Sequence, residues 1–195
     1  GTGKGQPLAN EPLPIVAITT TAGTGSEVDQ YGVISNEETN EKIGFGGPDS
    51  LFPRIAIVDP ELMTTVPPKF TAYQGFDALF HATEGYIANV ATPLSDAYAL
   101  KSIELLAKYL PAAVKDGSDL EAREHVAFAN TLSGVVMTLS GCTSEHSMEH
   151  AMSAYHHDLP HGAGLIMISK AYFTHFIEKH ACDDRFIRMA IALGK

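Results

Sequence analysis

Five of the nine histidines in the chain lie within sixteen consecutive positions, in the segment GCTSEHSMEHAMSAYHHDLPHGAG (141–164). They are His146, His150, His156, His157 and His161. Imidazoles bind metals, carry protons or stand in solvent, and only metal binding normally requires several rings to converge. The spacing of these histidines therefore decides which chemistry the segment supports.

Two pairs of possible ligands are spaced by four residues, which places both members of a pair on one face of a helix. Asp77 and His81 form the first pair, and His146 and His150 form the second. His161 follows in LPHG, where proline and glycine predict a turn from which an imidazole can point back. Three imidazoles and one carboxylate would suit Fe²⁺ or Zn²⁺ better than Mg²⁺ or Ca²⁺. Since one Asp/His pair can arise by chance, the combination indicates the metal site.

The first third of the chain is predicted to be rich in strands. Short apolar or alternating runs favour strands at IVAIT (15–19), YGVIS (31–35), EKIGFGG (41–47) and RIAIVD (54–59), with NEETN as a hairpin turn. After the first run comes TTTAGTGSEVD (19–29), which consists largely of small and hydroxyl-bearing residues. Its backbone can approach a ligand closely, and its hydroxyls and amides can contact polar groups.

From Val66-Pro67-Pro68 onward the apolar spacing becomes helical. Helices are predicted over 70–88 and 92–110, then from a capping box SDLE (118–121) toward Met137. A fourth helix should carry the histidines, with Thr143 or Ser144 as its N-cap, and two more should span about 163–178 and 182–193. The predicted organisation is mainly α, with a β-containing part (residues 1–66) followed by an all-helical metal-binding domain (residues 67–195).

Composition bounds the class of protein. The 195 residues carry a formal net charge of −10, which argues against a nucleic-acid partner because phosphate binding needs an excess of Lys and Arg. Cys142 and Cys182 are too few and too far apart for a disulfide framework or a thiolate metal knuckle. No apolar run approaches the roughly 20 residues that cross a bilayer, so we expect no membrane partner and a cytoplasmic location. Since no Met opens the chain and it stops within an expected helix, we expect a piece of a longer protein.

The sequence resembles the iron-containing (group III) alcohol dehydrogenase family, which shares its fold with glycerol dehydrogenase and dehydroquinate synthase. The resemblance is carried by PLPIVAITTTAGTGSEV (12–28), IAIVDPELMTTVPP (55–68), GFDALFHATEGYI (75–87) and HSMEHAMSAYHHDLPHGAGL (146–165). It implies that residues 1–66 are the C-terminal part of an α/β dinucleotide-binding domain. The family's glycine-rich nucleotide-binding segment has no counterpart in this sequence.

The resemblance also assigns roles by position. It implies that a divalent metal, Fe²⁺ or Zn²⁺, is held by Asp77, His81, His146 and His161. His150 would be a catalytic proton relay near substrate and nicotinamide. Contacts to NAD or NADP are implied for Thr20, Thr21, Thr24, Val33 and Lys42, whereas Asp29 stands where a relative has a cofactor-binding threonine.

The segment between the last two implied ligands is one residue longer than in the relatives. His156 or His157 could in principle replace a ligand, but we expect both to lie outside the metal site. His125, His175 and His180 have charged surroundings in sequence and are interpreted as surface residues.

The implied activity is metal-dependent hydride transfer between a small alcohol and its aldehyde or ketone, with NAD(P) as the hydride carrier. Alternatives are a polyol (glycerol-type) dehydrogenase or a dehydroquinate-synthase-like lyase, of which the three-histidine set disfavours the lyase. A third alternative is a metal-binding helical module without catalysis, which could describe the isolated chain. The resemblance further implies a possible homodimer that pairs through the β region.

Overall fold

The computed structural model describes residues 8–195, where four short strands precede six helices. The first seven residues of the predicted β-containing part lie outside this range. The strands are β1 (Val16–Thr19), β2 (Tyr31–Asn36), β3 (Glu41–Gly46) and β4 (Ile55–Val58). The helices are α1 (Pro68–Ile87), α2 (Pro93–Lys115), α3 (Leu120–Ser140), α4 (Glu145–Ser153), α5 (His161–Glu178) and α6 (Asp183–Ala192). The predicted mainly α class is confirmed.

The strands form two separate pairs. Strands β1 and β4 are parallel, with Val16 opposite Ile55 and Thr19 opposite Val58. Strands β2 and β3 form the predicted antiparallel hairpin, in which Tyr31 faces Gly46. The Thr/Gly segment predicted to approach a ligand therefore leaves the carboxyl end of β1 and leads into the hairpin.

Helices α1, α2 and α3 pack against one another around the main apolar core. Its fully or nearly fully buried members are Met63, Ala78, Leu105, Leu106, Leu110, Ala113, Ala122, Val126, Ala127, Ala129 and Leu132. A buried polar chain crosses this core: the Ser102 and Ser133 hydroxyls are 2.8 Å apart, and Ser133 donates to the Ala78 carbonyl at 2.7 Å. These contacts fix the helix that carries the first predicted ligand pair.

Arg123 on α3 stabilises the junction between the β-containing part and the helices through hydrogen bonds. Its guanidinium donates to the Val66 carbonyl at 3.1 Å, the Thr71 hydroxyl at 2.9 Å and the Gly117 carbonyl at 2.9 Å. Only 4% of the residue is exposed. In the boundary that the sequence indicated, Val66-Pro67-Pro68, the buried Arg123 therefore bonds the Val66 carbonyl, and α1 begins two residues later at Pro68.

Two local predictions were wrong. Helix α2 does not end near Leu110 but continues through Pro111 to Lys115, and it buries Ala113 in the core. The capping box at 118–121 does not form, because α3 begins one residue later than that box requires, at Leu120, while Ser118 donates through its amide and hydroxyl to Asp116. Asp119 caps α3 instead, by accepting from the Ala122 amide at 3.0 Å.

Within residues 8–195, no single helix is both long and apolar enough to cross a membrane. Helices α3 and α4 reach that threshold only when taken together, and a bend of 104° separates them.

Candidate metal centre

One face of α1 carries three buried ionisable side chains. Asp77, His81 and Glu84 are spaced by four and three residues and are 5%, 6% and 0% exposed. Residues at these spacings are neighbours on a helix surface. Because buried charges are unstable without partners, this face requires complementary groups from other elements.

Helices α4 and α5 supply those groups. His146 lies in the first turn of α4 and His161 is the first residue of α5, directly after Pro160. Ser144 is the N-cap residue of α4, one of the two that were predicted, but its side chain accepts no hydrogen bond from the first turn. The Glu84 carboxylate takes that role from α1, and accepts from the amides of Glu145 and His146 at 3.0 Å each.

The three predicted ligand histidines converge on one carboxylate oxygen. Oδ1 of Asp77 lies 3.2 Å from Nε2 of His146, 3.5 Å from Nε2 of His161 and 3.6 Å from Nδ1 of His81. The rings of His81 and His146 are stacked, with centroids 4.1 Å apart. The four residues of the predicted ligand set therefore lie in contact, from helices α1, α4 and α5. Possible ligand atoms of Asp77, His146 and His161 all lie within 4.8 Å of one another, while His81 forms a second such group with His146 and Cys142.

This arrangement fits a divalent ion. With bonds of ~2.1 Å, the donors of a tetrahedral ion stand about 3.4 Å apart, and the two Nε2 distances to Asp77 lie on either side of that value. Nδ1 of His81 is 3.3 Å from the Gly23 carbonyl, to which it can donate, and this leaves its Nε2 free for a ligand bond. Imidazoles with one carboxylate form a borderline donor set that suits Fe²⁺ or Zn²⁺.

The pKa values of these groups reflect their mutual contact. Burial alone would raise the pKa of Asp77, but the charge of His81 and hydrogen bonds from His146 and His161 hold it well below its usual range. Burial, with His146 nearby, lowers the pKa of His81 to about 4. Burial also opposes charge on His146 and His161, yet their carboxylate partners raise both pKa values. The pKa shifts of Asp77 and the three histidines therefore arise from one another, because their charged groups meet in one buried place.

His150, the predicted proton relay, lies beside the cluster but not on Asp77. Its ring centroid is 5.2 Å from that of His161, and the ring is partly buried. Burial and the neighbouring His161 lower the pKa of His150 to about 4. The imidazole is therefore neutral at pH 7, with one unprotonated ring nitrogen, and it is a weaker base than an ordinary histidine.

The backbone of the Thr/Gly segment contacts the donor side chains, since the Gly23 carbonyl lies 3.3 Å from Nδ1 of His81. A Cβ on Gly23 would stand 3.1 Å from the Cα of Gln74 and 3.2 Å from Oδ2 of Asp77, so any larger residue would push against α1 and the Asp77 carboxylate. The neighbouring Thr20, Thr21 and Thr24 side chains are exposed. The predicted cofactor segment thus abuts the donor cluster while its hydroxyls remain accessible.

The hairpin places its two predicted cofactor residues differently. Val33 on β2 is 47% exposed. Lys42 on β3 points toward α4, and its Nζ lies 2.8 Å from the Ser153 hydroxyl and 3.5 Å from the Glu149 carboxylate. A cofactor role for Lys42 stays a prediction, whereas its contact with α4 is a feature of the fold.

His156 and His157 are exposed and lie outside the cluster, as expected from the extra residue in their loop.

Sequence reasoning missed Cys142, Glu84 and Glu149. Cys142 offers its sulfur within 4.8 Å of ring nitrogens of His81 and His146, and burial raises the pKa of its thiol. Glu84 and Glu149 contact the Nδ1 atoms of His146 and His161, respectively. Each glutamate follows a predicted ligand by three residues, in His-x-x-Glu, and that repeat was the available signal.

Comparison with known proteins identifies the family of the chain. The model of the Fe-containing alcohol dehydrogenase family, C-terminal, matches residues 71–195, and that of iron-containing alcohol dehydrogenase matches residues 2–60. The chain belongs to the iron-containing alcohol dehydrogenase family.

Individual relatives agree with this assignment. The chain is 39% identical over 176 residues to the NAD-dependent methanol dehydrogenase of Bacillus methanolicus, covering 85% of this chain and 46% of the relative. It is 43% identical over 155 residues to the 1,3-propanediol dehydrogenase of Klebsiella pneumoniae, covering 80% and 40%. The crystal structure of an archaeal halo-thermophilic Red Sea brine pool alcohol dehydrogenase has a TM-score of 0.93 at 40% identity, covering 98% of this chain and 48% of that one. The chain spans about half the length of the relatives it matches.

Proposed function

We propose that this chain provides the metal site and part of the cofactor cleft of an NAD(P)-dependent alcohol dehydrogenase. The observation that carries the proposal is the convergence of His81, His146 and His161 on Asp77 within a buried face of the helical domain. Family membership supports iron as the metal, and the methanol dehydrogenase relative supports NAD as the hydride carrier.

When bound, the divalent ion would supply Lewis acidity to the substrate oxygen, and the nicotinamide would supply or accept a hydride. The residues of this chain have separate tasks around that chemistry. Helices α1, α4 and α5 hold the four donors, and His150 stands beside His161 to receive or return the proton of the alcohol. The Thr20, Thr21 and Thr24 hydroxyls lie where the cofactor would pass the cluster.

The metal assignment is tested by metal analysis after loading with Fe²⁺ under reducing conditions or with Zn²⁺. We expect one ion per chain, and loss of binding in His81→Ala and in His161→Ala. His175→Ala is the matched control, because His175 is an exposed histidine on the same helix as His161. Full occupancy in both ligand variants would show that the ligand set is wrong.

Substrate choice is tested on the parent protein with a panel of simple alcohols, diols and polyols, using NAD and NADP in parallel. A polyol dehydrogenase is the second candidate, and the similarity to a 1,3-propanediol dehydrogenase favours including it. We also predict that the 195-residue chain alone oxidises no alcohol and acts only as a metal-binding module. NAD-dependent turnover by the purified chain would contradict that prediction.

A further inference from the structure

Each of the three predicted ligand histidines has a hydrogen-bond acceptor at Nδ1. The acceptor is the Gly23 carbonyl for His81, Glu84 for His146 and Glu149 for His161. Nε2 of His146 and of His161 faces Asp77, whereas His81 approaches Asp77 through Nδ1, at 3.6 Å. An acceptor at Nδ1 keeps the proton there and leaves the lone pair of Nε2 for a metal bond. Two of these acceptors are buried carboxylates.

Glu84 is held in place by hydrogen bonds on both of its oxygens. Oε1 accepts from the His146 amide and from Nδ1 of the same residue, while Oε2 accepts from the Thr143 hydroxyl at 2.8 Å and the Glu145 amide. The side chain has no exposed surface. A carboxylate fixed by four donors cannot rotate, so the His146 ring bonded to it cannot rotate either.

Glu149 holds His161 with fewer partners. Its Oε2 meets Nδ1 of His161 and lies 3.5 Å from Nζ of Lys42, while its buried Oε1 has no hydrogen-bond partner among the described residues. Gly164 packs against this side chain, since a Cβ there would stand 2.8 Å from Cγ of Glu149. Packing and one cation therefore position this carboxylate.

We propose that Glu84 and Glu149 are positioning residues that fix the tautomer and ring orientation of His146 and His161 for metal binding. The proposal rests on the proposed metal site and adds two residues to it. The two glutamates belong to one repeated pattern, since each follows a ligand histidine by three positions on its own helix and contacts the histidine of the next ligand-bearing helix. Removing such outer partners typically weakens metal affinity 10–100-fold.

The test compares the Zn²⁺ dissociation constants of wild type, Glu84→Gln and Glu149→Gln by competition with a chelator. We expect each variant to bind 10–100-fold more weakly. The visible spectrum of the Co²⁺-loaded chain provides a second readout, and its bands should shift in both variants because ring orientation changes the ligand field.

One control separates positioning from general stability. Glu27→Gln alters another buried carboxylate, which accepts from Asn130 at 3.2 Å and Thr131 at 2.7 Å without touching a ligand histidine. This control should keep the wild-type Co²⁺ spectrum and Zn²⁺ affinity, whatever its melting temperature.

The outcomes distinguish the proposals. If wild type binds neither Zn²⁺ nor Co²⁺, the proposed metal site is wrong. If wild type binds but Glu84→Gln and Glu149→Gln keep its affinity and spectrum, the positioning roles are wrong. Should Glu84→Gln fail to fold, Glu149→Gln, which leaves the α4 cap intact, decides by itself whether a carboxylate positions a ligand.

Discussion

The contact between the start of α5 and the second turn of α1 leads to a testable prediction for Gly162→Ala. A Cβ at Gly162 would overlap the carbonyl oxygen of Tyr73 and stand 3.1 Å from its Cα. Both are backbone atoms of a long helix, so no side-chain rotation can relieve the clash. The first turn of α5 must move away from α1, and it must take His161 with it.

The expected magnitude follows from two opposing effects. Overpacking costs about 1–3 kcal/mol, and a clash with backbone atoms belongs in the upper part of that range, about 2–3 kcal/mol. Replacing a helical glycine by alanine returns about 1 kcal/mol. The net loss in free energy of unfolding should be about 1–2 kcal/mol, which corresponds to a decrease in Tm of roughly 2–8 °C for a chain of this size. Because His161 Nε2 starts 3.5 Å from Asp77, Zn²⁺ affinity should also fall, by on the order of tenfold.

The measurements are thermal unfolding by circular dichroism without metal, and Zn²⁺ competition titration. Gly44→Ala is the matched control, because a Cβ at that exposed strand position meets no atom within 4 Å. Its stability should stay within about 0.5 kcal/mol of wild type. A wild-type Tm for Gly162→Ala would refute the packing argument, and a lowered Tm with unchanged Zn²⁺ affinity would refute the link to His161.

Three further predictions concern other parts of the molecule. Ser133→Ala should lower the free energy of unfolding by about 1–3 kcal/mol in urea titration, since it leaves the buried Ala78 carbonyl without its 2.7 Å donor; an unchanged midpoint would contradict this. Burial raises the pKa of Asp29 to about 6, so stability from the protonated carboxyl is full below about pH 4 and is lost as the pH rises through 6. Asp29→Asn should therefore stabilise by about 1–2 kcal/mol above pH 7 but little at pH 4, and an equal gain at both pH values would argue against it. Replacing both His156 and His157 by alanine should leave Zn²⁺ affinity unchanged, and a weakened affinity would place one of them in the site.

The sequence predicted the elements well where periodicity was strong. All four strands and six helices occur near their expected positions, because apolar spacing reflects which face each element buries. Helix ends were less predictable. Ser118 does not cap α3 because the helix begins at Leu120 and Asp119 accepts from its first turn. Pro111 did not stop α2 because burial of Ala113 favours the longer helix.

The donor set was recognisable, but its surroundings were not. Asp77 and His81 show their relation through helical spacing, and the resemblance joined them to His146, which is 69 residues from Asp77 in the sequence. Which imidazole nitrogen faces a carboxylate depends on how helices pack, and no local pattern encodes that. The same packing separated His150 from Asp77, although its spacing from His146 equals that of the first pair.

The capping of α4 by Glu84 has a consequence for the order of folding. A helix of nine residues is marginal in isolation, and its first amides find their acceptor 61 and 62 residues earlier in the chain. Helix α4 should therefore form only after α1 is in place, late in folding, and open as a unit when the two helices separate. Hydrogen exchange of the α4 amides would then report this opening, and a bound metal ion that joins α1 to α4 should slow that exchange.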